Sequence, residues 1–305
     1  FQKIKIMKTK KTILVTGSSG FIGCPLVKKL LNSEVYILGL DPRELFEKNS
    51  QYTHLSNINL SKDKFIEVFE KYDVSDVIHT GGISGPMLFN DQPFKIIKNN
   101  VFFTLNLIEA CRAFNKINKV IFCSSISAYG DLLEKNTDEN FKFSPTNLYG
   151  ASKASCDLIL EKYFENYNLD ILALRFSTVY GPRRETDCFI KDMVNAAISN
   201  KKITLPFRED LQWPYIHVDD AVSSIIAALL NEKKSNYSYN ISGPDFPSYG
   251  QVANEIKTYY KNFNPSFSKS NHIKKRELFS IEKIKKEMNW IPKISIKKGI
   301  KTFVI

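Results

Sequence analysis

The sequence predicts an α/β fold in which helices alternate with the strands of one doubly wound parallel sheet. Short apolar stretches alternate with segments whose apolar residues recur at helical spacing, and a run of glycines directly follows the first apolar stretch. Strands that are joined through helices pair in parallel. A length of 305 residues and a hydrophobic content of 43% suit one large α/β domain with a smaller lobe.

The first predicted unit is a strand, a glycine turn and a helix. Gly17, Gly20 and Gly23 are spaced three apart after the apolar stretch Thr12–Val15. Such glycines form a tight strand-to-helix turn and let the backbone approach a dinucleotide pyrophosphate. The helix that follows, over 21–31, points its free amide groups at an anion. We therefore predict a Rossmann-type cofactor site that includes Gly17, Gly20, Phe21, Ile22 and Gly23.

An acidic residue ends the second predicted strand. The apolar run Val35–Leu40 leads into Asp41, which lies 18 residues beyond Gly23. A carboxylate here hydrogen-bonds the ribose hydroxyls of NAD and repels the 2′-phosphate of NADP. NAD is therefore the expected cofactor, and Arg43 keeps NADP as the less favoured alternative. The structural alternative for Asp41 is a helix cap before Pro42.

The alternation of strands and helices continues beyond Asp41. Further strands are predicted at 52–55, 74–79, 120–123 and 170–175, and helices at 62–71, 93–115 and 148–167. After about Gly181 the pieces are shorter, with strands at 203–205, 215–217 and 238–241 and helices at 219–231, 249–260 and 282–288. We expect a nucleotide-binding domain over 7–180 and a mostly C-terminal α/β substrate lobe over 181–305, with some chain crossing back to the sheet. The lobe would close over the carboxyl ends of the strands, where open α/β sheets bind ligands.

The composition of the chain argues against several classes of binding partner. The net charge of +11 is spread along the chain without a nucleic-acid recognition motif, so we expect no nucleic-acid partner and attraction of a phosphate-bearing substrate instead. No apolar stretch approaches the roughly 20 residues that span a bilayer, and no secretion signal is recognised, which predicts a cytoplasmic protein without membrane contact. The five cysteines and four histidines lack metal-ligand spacing, which predicts reduced thiols and no metal.

A serine, a tyrosine and a lysine form the candidate catalytic group. Ser124 and Ser125 follow the predicted strand 120–123, and Tyr149 and Lys153 lie four residues apart in the next helix. Residues at that spacing share one helix face. An ammonium beside a phenol stabilises the phenolate, so the tyrosine can exchange a proton near neutral pH. The group predicts proton transfer at an alcohol whose carbon exchanges hydride with a nicotinamide cofactor.

Together these residues resemble the extended short-chain dehydrogenase/reductase family, the NAD-dependent epimerase/dehydratase group of sugar-modifying enzymes. Four further motifs are similar to those of the family, VIHTGG at 77–82, LRFSTVYGP at 174–182, YIHVDD at 215–220 and MNWIPK at 288–293. The resemblance covers nearly the whole chain, from Lys11 to about Ile300. It implies that Tyr149, Lys153 and Ser125 are catalytic, with Ser124 as the second choice for the serine. The cofactor contacts that it implies are Asp41, Asn59, Leu60, Gly81, Gly82, Tyr149, Lys153 and Ser177.

The departures from the family pattern lie on the expected substrate wall. Thr178 stands where nucleotide-sugar enzymes usually have an asparagine that contacts the diphosphate, and Trp213 lies in the region where many have an arginine. The substrate-binding candidates are Thr178, Arg183, Arg184, Arg208 and Trp213. Either the arginines hold a nucleotide by bidentate phosphate contacts, or the substrate is a smaller sugar or sugar acid. The structural alternatives are surface charge for the arginines and core packing for Trp213.

The leading functional prediction is an NAD-dependent epimerase, dehydrogenase or reductase that acts on a sugar, most often one linked to a nucleotide. Ile126 and Ser127 stand where sugar 4,6-dehydratases have an Asp-Glu pair, which disfavours dehydration. The alternatives are a dehydrogenase of a free sugar or sugar acid and a non-catalytic NAD(H)-binding sensor. The resemblance also implies a homodimer that forms through the helices 93–115 and 148–167.

Overall fold

The computed structural model describes residues 11–46, 50–56, 60–131, 137–232, 236–269 and 278–304. Its described strands are β1 (Lys11–Thr16), β2 (Val35–Leu40), β3 (Tyr52–Leu55), β4 (Val74–His79), β5 (Lys119–Ser125), β6 (Ile171–Phe176), β7 (Thr178–Tyr180), β8 (Thr204–Leu205), β9 (Tyr215–His217), β10 (Ser238–Ile241) and β11 (Ser266–Phe267). Seven of them form one parallel sheet in the order β10-β6-β5-β4-β1-β2-β3. Two small parallel pairs, β7 with β9 and β8 with β11, lie outside it.

The helices connect these strands and cover the sheet. They are α1 (Gly23–Leu30), α2 (Lys62–Tyr72), α3 (Pro93–Ile97), α4 (Phe103–Phe114), α5 (Leu148–Asn166), α6 (Phe189–Ile198), α7 (Val218–Leu230), α8 (Tyr249–Tyr259), α9 (Glu282–Met288) and α10 (Ile296–Lys301). From β1 the chain moves through β2 and β3 to one side of the sheet and then continues with β4 on the other side. This reversal opens a crevice at the carboxyl ends of β1 and β4, the place where doubly wound sheets bind ligands.

The strands are apolar on both faces because helices bury both. Ile13 and Val15 of β1 pack in one cluster with α1, α7 and α9. Leu14, between them in sequence, points to the opposite face and packs with α2, α4 and α5. The alternation accounts for the continuous apolar runs of the strands, since a parallel sheet with two covered faces has no solvated side.

A third apolar cluster lies in the C-terminal part of the chain, where α6, α8 and α10 pack together with β7 and β9. The elements α6, α10, β7 and β11 were not predicted from the sequence. The strand β10 returns to the main sheet and forms its edge beside β6. Within the described ranges, none of the helices combines the length and the apolar character that crossing a membrane requires.

The predicted helix 93–115 is not uniform. A π-helical turn over Lys98–Phe102 joins α3 to α4. Asn100, buried in this turn, accepts from the Ile83 amide at 2.7 Å and donates to the Ile83 carbonyl at 3.2 Å and to Ser152 Oγ at 3.0 Å. These contacts connect the helix to the loop after β4 and to α5.

Candidate active site

A cavity of about 920 Å³ lies at the carboxyl ends of β1, β4, β5 and β6, between the sheet and the C-terminal lobe. The structure brings most of the predicted site residues to its wall. Those that line it are Gly17, Gly20, Phe21, Ile22, Gly23, Asp41, Leu60, Gly81, Gly82, Ser124, Ser125, Tyr149, Lys153, Ser177, Thr178, Arg183, Arg184 and Trp213. Arg208 does not line the cavity, and Asn59 lies outside the described residues.

The glycine turn between β1 and α1 is pressed against the loop that follows β4. Gly17 has φ +68°, and a Cβ atom there would lie 2.8 Å from the Gly81 Cα. A Cβ atom on Gly23 would lie 2.0 Å from the Gly17 carbonyl oxygen. A larger residue at Gly17 would therefore force the two loops apart, and one at Gly23 would distort the glycine turn itself, so both positions require glycine.

Asp41 is buried at the end of β2 and its carboxylate is fixed by backbone amides. One oxygen accepts from the Ser19 amide at 3.3 Å and the other from the Arg43 amide at 2.9 Å. The residues that follow, 42–46, form no helix, so the structure does not support the helix-capping alternative. The Arg43 guanidinium makes an ion pair with Glu185 of the lobe at 2.9 Å.

Ser125, Tyr149 and Lys153 all line the cavity, Ser125 at the end of β5 and the other two on α5. Ser125 Oγ accepts from the Ser127 amide at 3.1 Å, which leaves its own hydrogen available for another acceptor. Asn147 caps α5 by accepting from the Gly150 amide, so Tyr149 stands in the first turn of the helix. Lys153 Nζ donates to the Cys123 carbonyl at 2.9 Å, and this contact holds the ammonium at the end of β5.

Ser124 faces a different environment from Ser125. Its hydroxyl donates to the Asp157 carboxylate at 2.7 Å. Asp157 also pairs with Arg175 at 2.8 Å, and both of these charged side chains are buried. The Ser124 proton is therefore engaged in a buried network beneath the site.

The lobe side of the cavity carries Thr178, Trp213 and two arginines. The Trp213 indole donates to Thr178 Oγ1 at 2.8 Å. Arg183 Nη1 lies 3.1 Å from Cys24 Sγ, at the start of α1. Arg184 donates to the carbonyl of Val179 and, from Nε, to Thr186 Oγ1 at 3.0 Å.

A model of the NAD dependent epimerase/dehydratase family matches residues 13–242 of this sequence. The chain belongs to this family. Among its relatives, a UDP-glucuronate 4-epimerase of Thermodesulfobacterium geofontis is 29% identical, with 95% of this chain and 94% of the relative covered. Protein CapI of Staphylococcus aureus is 30% identical over 76% of this chain and 73% of its own length. The chain spans 58% of the length of a dTDP-D-glucose 4,6-dehydratase of Dictyostelium discoideum, to which it is 29% identical over 77% of its own length.

Solved structures agree on the architecture of this epimerase/dehydratase chain. The UDP-glucuronic acid 4-epimerase of Bacillus cereus, solved with UDP-glucuronic acid and NAD, superposes with a TM-score of 0.85 at 25% identity, covering 95% of this chain and 97% of that one. A UDP-glucose 4-epimerase of Thermotoga maritima gives a TM-score of 0.87 at 23% identity and covers 96% and 97%. The predicted family and the predicted doubly wound fold are both confirmed.

Two histidines of the epimerase/dehydratase chain are held by structural contacts. His79 is buried between the hydroxyls of Thr16 at 2.6 Å and Thr104 at 2.9 Å. Burial, together with the charge of Lys153, lowers the pKa of His79 to about 3. His217 accepts from the Asp219 amide and caps α7. Both side chains therefore contribute hydrogen bonds at strand ends.

Sequence reasoning named Arg43 and Arg183 but missed Glu185 and the contacts that join these residues to distant parts of the chain in this family member. Glu185 reaches Arg43 across 142 positions of sequence, and Arg183 reaches Cys24 across 159. No local pattern signals such pairs. The Asn147 cap was recognisable, because asparagine directly before a helix is a common start signal.

Proposed function

We propose that this chain is an NAD-dependent epimerase of a nucleotide-linked sugar that moves hydride and proton at one carbinol carbon. The observation that carries the proposal is that Ser125, Tyr149 and Lys153 line the same cavity as the glycine turn. The relatives support the substrate class, since a UDP-glucuronate 4-epimerase matches over 94% of its length. Net dehydrogenation or reduction of the sugar is the alternative outcome of the same chemistry.

The cavity wall fits NAD. The Asp41 carboxylate lies at the end of β2, where it can accept from ribose hydroxyls and repels an added phosphate. Arg43, the residue that would favour NADP, forms an exposed ion pair with Glu185, so the preference for NAD rests on the Asp41 carboxylate. Ser177 Oγ is buried in the wall without a hydrogen-bond partner among the described residues, and a bound cofactor would supply one. We assign the cofactor contacts to these residues, to the glycine turn, to Leu60 and to Gly81 and Gly82.

The chain's own residues move and hold the proton. When bound, NAD accepts hydride from the carbinol carbon and can return it. Tyr149 takes the hydroxyl proton as hydride leaves and gives it back to the same oxygen when hydride returns. Lys153, four residues further along the same helix face, lines the cavity with Tyr149, and its ammonium is held at the end of β5 by the Cys123 carbonyl. Ser125 donates its free hydrogen to the reacting oxygen.

Epimerisation requires that the keto sugar turn within the cavity before hydride returns to its opposite face. Dehydration instead requires carboxylates that remove and deliver protons at neighbouring carbons. Ile126 and Ser127 follow Ser125 directly, and Ile126 is buried, so the two positions that would supply such groups carry none. This supports epimerisation over 4,6-dehydration, although a dehydratase is among the relatives.

The test is turnover of UDP-, dTDP-, GDP- and CDP-sugars, followed by product NMR and by absorbance of reduced nicotinamide. An epimerase converts one sugar into its epimer without net NADH. We expect Tyr149→Phe to lose about 10²–10⁴-fold in rate while it still binds NAD, because a positioned acid/base is removed. Tyr259→Phe, on the surface of α8, is the matched control. Normal turnover by Tyr149→Phe would refute the acid/base assignment.

We also propose that the protein is a homodimer that works in the cytoplasm. Large apolar side chains are exposed on α3, α5 and the turn before α4, namely Phe94 at 67%, Phe102 at 48%, Leu158 at 52% and, just after α5, Tyr167 at 54%. A second copy would cover them, and exposed apolar patches of this kind commonly mark interfaces. All five cysteines are free and buried, which suits a reducing compartment.

A further inference from the structure

Two adjacent arginines on the cavity wall differ from the other arginines of the chain. Six of the seven arginines lie in described residues, and four of them pair with carboxylates. The pairs are Arg43 with Glu185, Arg112 with Glu109, Arg175 with Asp157 and Arg208 with Asp210. Arg183 and Arg184 make no ion pair within the described ranges, and both line the cavity. Although Glu185 and Asp187 line the same wall and the Arg184 charge acts on Asp192, two guanidinium groups without an ion pair to a described carboxylate favour anionic ligands.

The two side chains extend in different directions. Arg183 Nη1 lies 3.1 Å from the thiol of Cys24, the second residue of α1, so its guanidinium stands over the glycine turn. A thiol is a weak acceptor, and the remaining N–H groups of Arg183 are free to bind another anion. The amides of the first turn of α1 point to the same place and favour negative charge there.

Arg184 instead lies against β7 and β9. Its Nη1 donates to the Val179 carbonyl and its Nε to Thr186 Oγ1, which leaves Nη2 available. Val179 belongs to β7, which pairs in parallel with β9, and Tyr215 of β9 lines the same cavity as Arg184.

The Thr178 hydroxyl lies beside the same pair of strands. Because Thr178 Oγ1 accepts from the Trp213 indole at 2.8 Å, its single hydrogen is directed away from the indole. Thr178, Trp213, Tyr215 and Arg184 all line the lobe side of the cavity. Arg184 and Thr178 therefore each offer a donor on the lobe side of the cavity, and Trp213 fixes the orientation of the Thr178 hydroxyl.

We infer that Arg183 binds the pyrophosphate of the coenzyme, whereas Arg184 and Thr178 bind the diphosphate of the nucleotide-linked substrate, with Trp213 as a positioning residue. The assignment rests on the proposed function for its substrate class. The sequence predicts only that the arginines bind phosphate groups, whereas this assignment gives Arg183 to the coenzyme and Arg184 to the substrate. Arg208 has no part in either site, because its guanidinium is paired with Asp210 outside the cavity.

The experiment compares Arg183→Gln, Arg184→Gln and Arg208→Gln. Calorimetry measures NAD binding to the coenzyme-free protein, and then UDP, dTDP and GDP binding to the NAD-loaded protein. A lost charge-assisted contact weakens binding by roughly 10- to 100-fold. We expect that loss for NAD alone in Arg183→Gln, for the nucleoside diphosphate alone in Arg184→Gln, and for neither ligand in Arg208→Gln. Thermal unfolding of each variant verifies that it is folded.

The outcomes separate this assignment from the proposed function. Unchanged NAD affinity in Arg183→Gln, or unchanged nucleoside diphosphate affinity in Arg184→Gln, overturns the corresponding half. If the unaltered protein binds none of the three nucleoside diphosphates, the assignment of Arg184 fails together with the proposed substrate, whereas the NAD measurement still decides on Arg183. Thr178→Val should weaken the nucleoside diphosphate in the same direction as Arg184→Gln, since it removes the second donor while keeping the side-chain shape.

Discussion

At the scale of single residues, neighbouring serines at the end of β5 have different partners. Ser125 keeps a free hydroxyl hydrogen at the cavity, whereas Ser124 donates to the buried Asp157. We expect Ser125→Ala to lower kcat by roughly 10- to 100-fold, because a donor to the reacting oxygen is lost. Ser124→Ala should keep the rate within a few-fold and lower the free energy of unfolding by about 1 kcal/mol. Steady-state kinetics and urea unfolding of both variants test this, and the reverse pattern would contradict it.

The lowered pKa of His79 predicts that the free energy of unfolding depends on pH. Its pKa is held at about 3 in the folded protein by burial, against 6.5 for an ordinary histidine. Between these values the unfolded chain binds a proton that the folded chain does not, so this contribution to stability is complete above pH 6.5 and falls as the pH decreases, by at most about 1.4 kcal/mol per pH unit.

Urea unfolding at about pH 7, 6 and 5 measures this slope. The variant His79→Asn lacks the titrating ring, so we expect its free energy of unfolding to fall less steeply with decreasing pH than that of the unaltered protein. The comparison uses slopes, because the substitution also removes hydrogen bonds to Thr16 and Thr104 at every pH. Equal slopes would show that His79 does not cause the dependence.

Candidate site residues could be predicted from the sequence where they lie at a characteristic spacing. Gly17 and Gly23 follow a strand at fixed distances, and Tyr149 and Lys153 are four apart on one helix. The separation of Ser124 from Ser125, and of Arg183 from Arg184, depends on which way each side chain points after folding. Contacts such as Arg43 with Glu185 join distant positions and leave no periodic signal.

At the scale of elements, the π turn between α3 and α4 is a point where one residue supports several parts of the site. Asn100 satisfies both backbone polar groups of Ile83 and contacts Ser152. We expect Asn100→Ala to lower the free energy of unfolding by about 2–3 kcal/mol, because buried groups lose their partners. The matched control is Asn99→Ala in the same π turn, whose half-buried amide donates to the Lys95 carbonyl of α3. Similar losses in both variants would contradict this explanation.

Most strands and helices of the sheet could be predicted because burial imposes a period on their sequences. The helix α6 was missed although Ile190, Met193, Val194 and Ala197 are buried at helical spacing. It begins after Cys188, which provides no side-chain cap, so the usual start signal is absent. Short pieces such as β11, with two residues, are defined by a partner strand and not by any pattern of their own.

At the scale of the whole molecule, the exposed apolar side chains of α3 and α5 predict the oligomeric state. Leu158→Glu would place a charge in the proposed interface, so we expect light scattering at micromolar concentration to give half the mass of the unaltered protein. Leu230→Glu, at the end of α7 with an exposure of 71%, is the matched control. A monomeric unaltered protein, or an unchanged mass for Leu158→Glu, would refute the proposed dimer.

The ion pair between Arg43 and Glu185 has a consequence for the exchange of bound coenzyme. It joins the loop after β2, beside Asp41, to the segment that follows β7, and both residues line the cavity. If the pair stays closed over a bound dinucleotide, release requires the two segments to part, which would slow exchange with the surrounding pool. Such retention would hinder a catalyst that must release a spent coenzyme after each cycle. It suits an epimerase, because an epimerase regenerates its coenzyme in each catalytic cycle and can convert many sugar molecules with the same bound coenzyme.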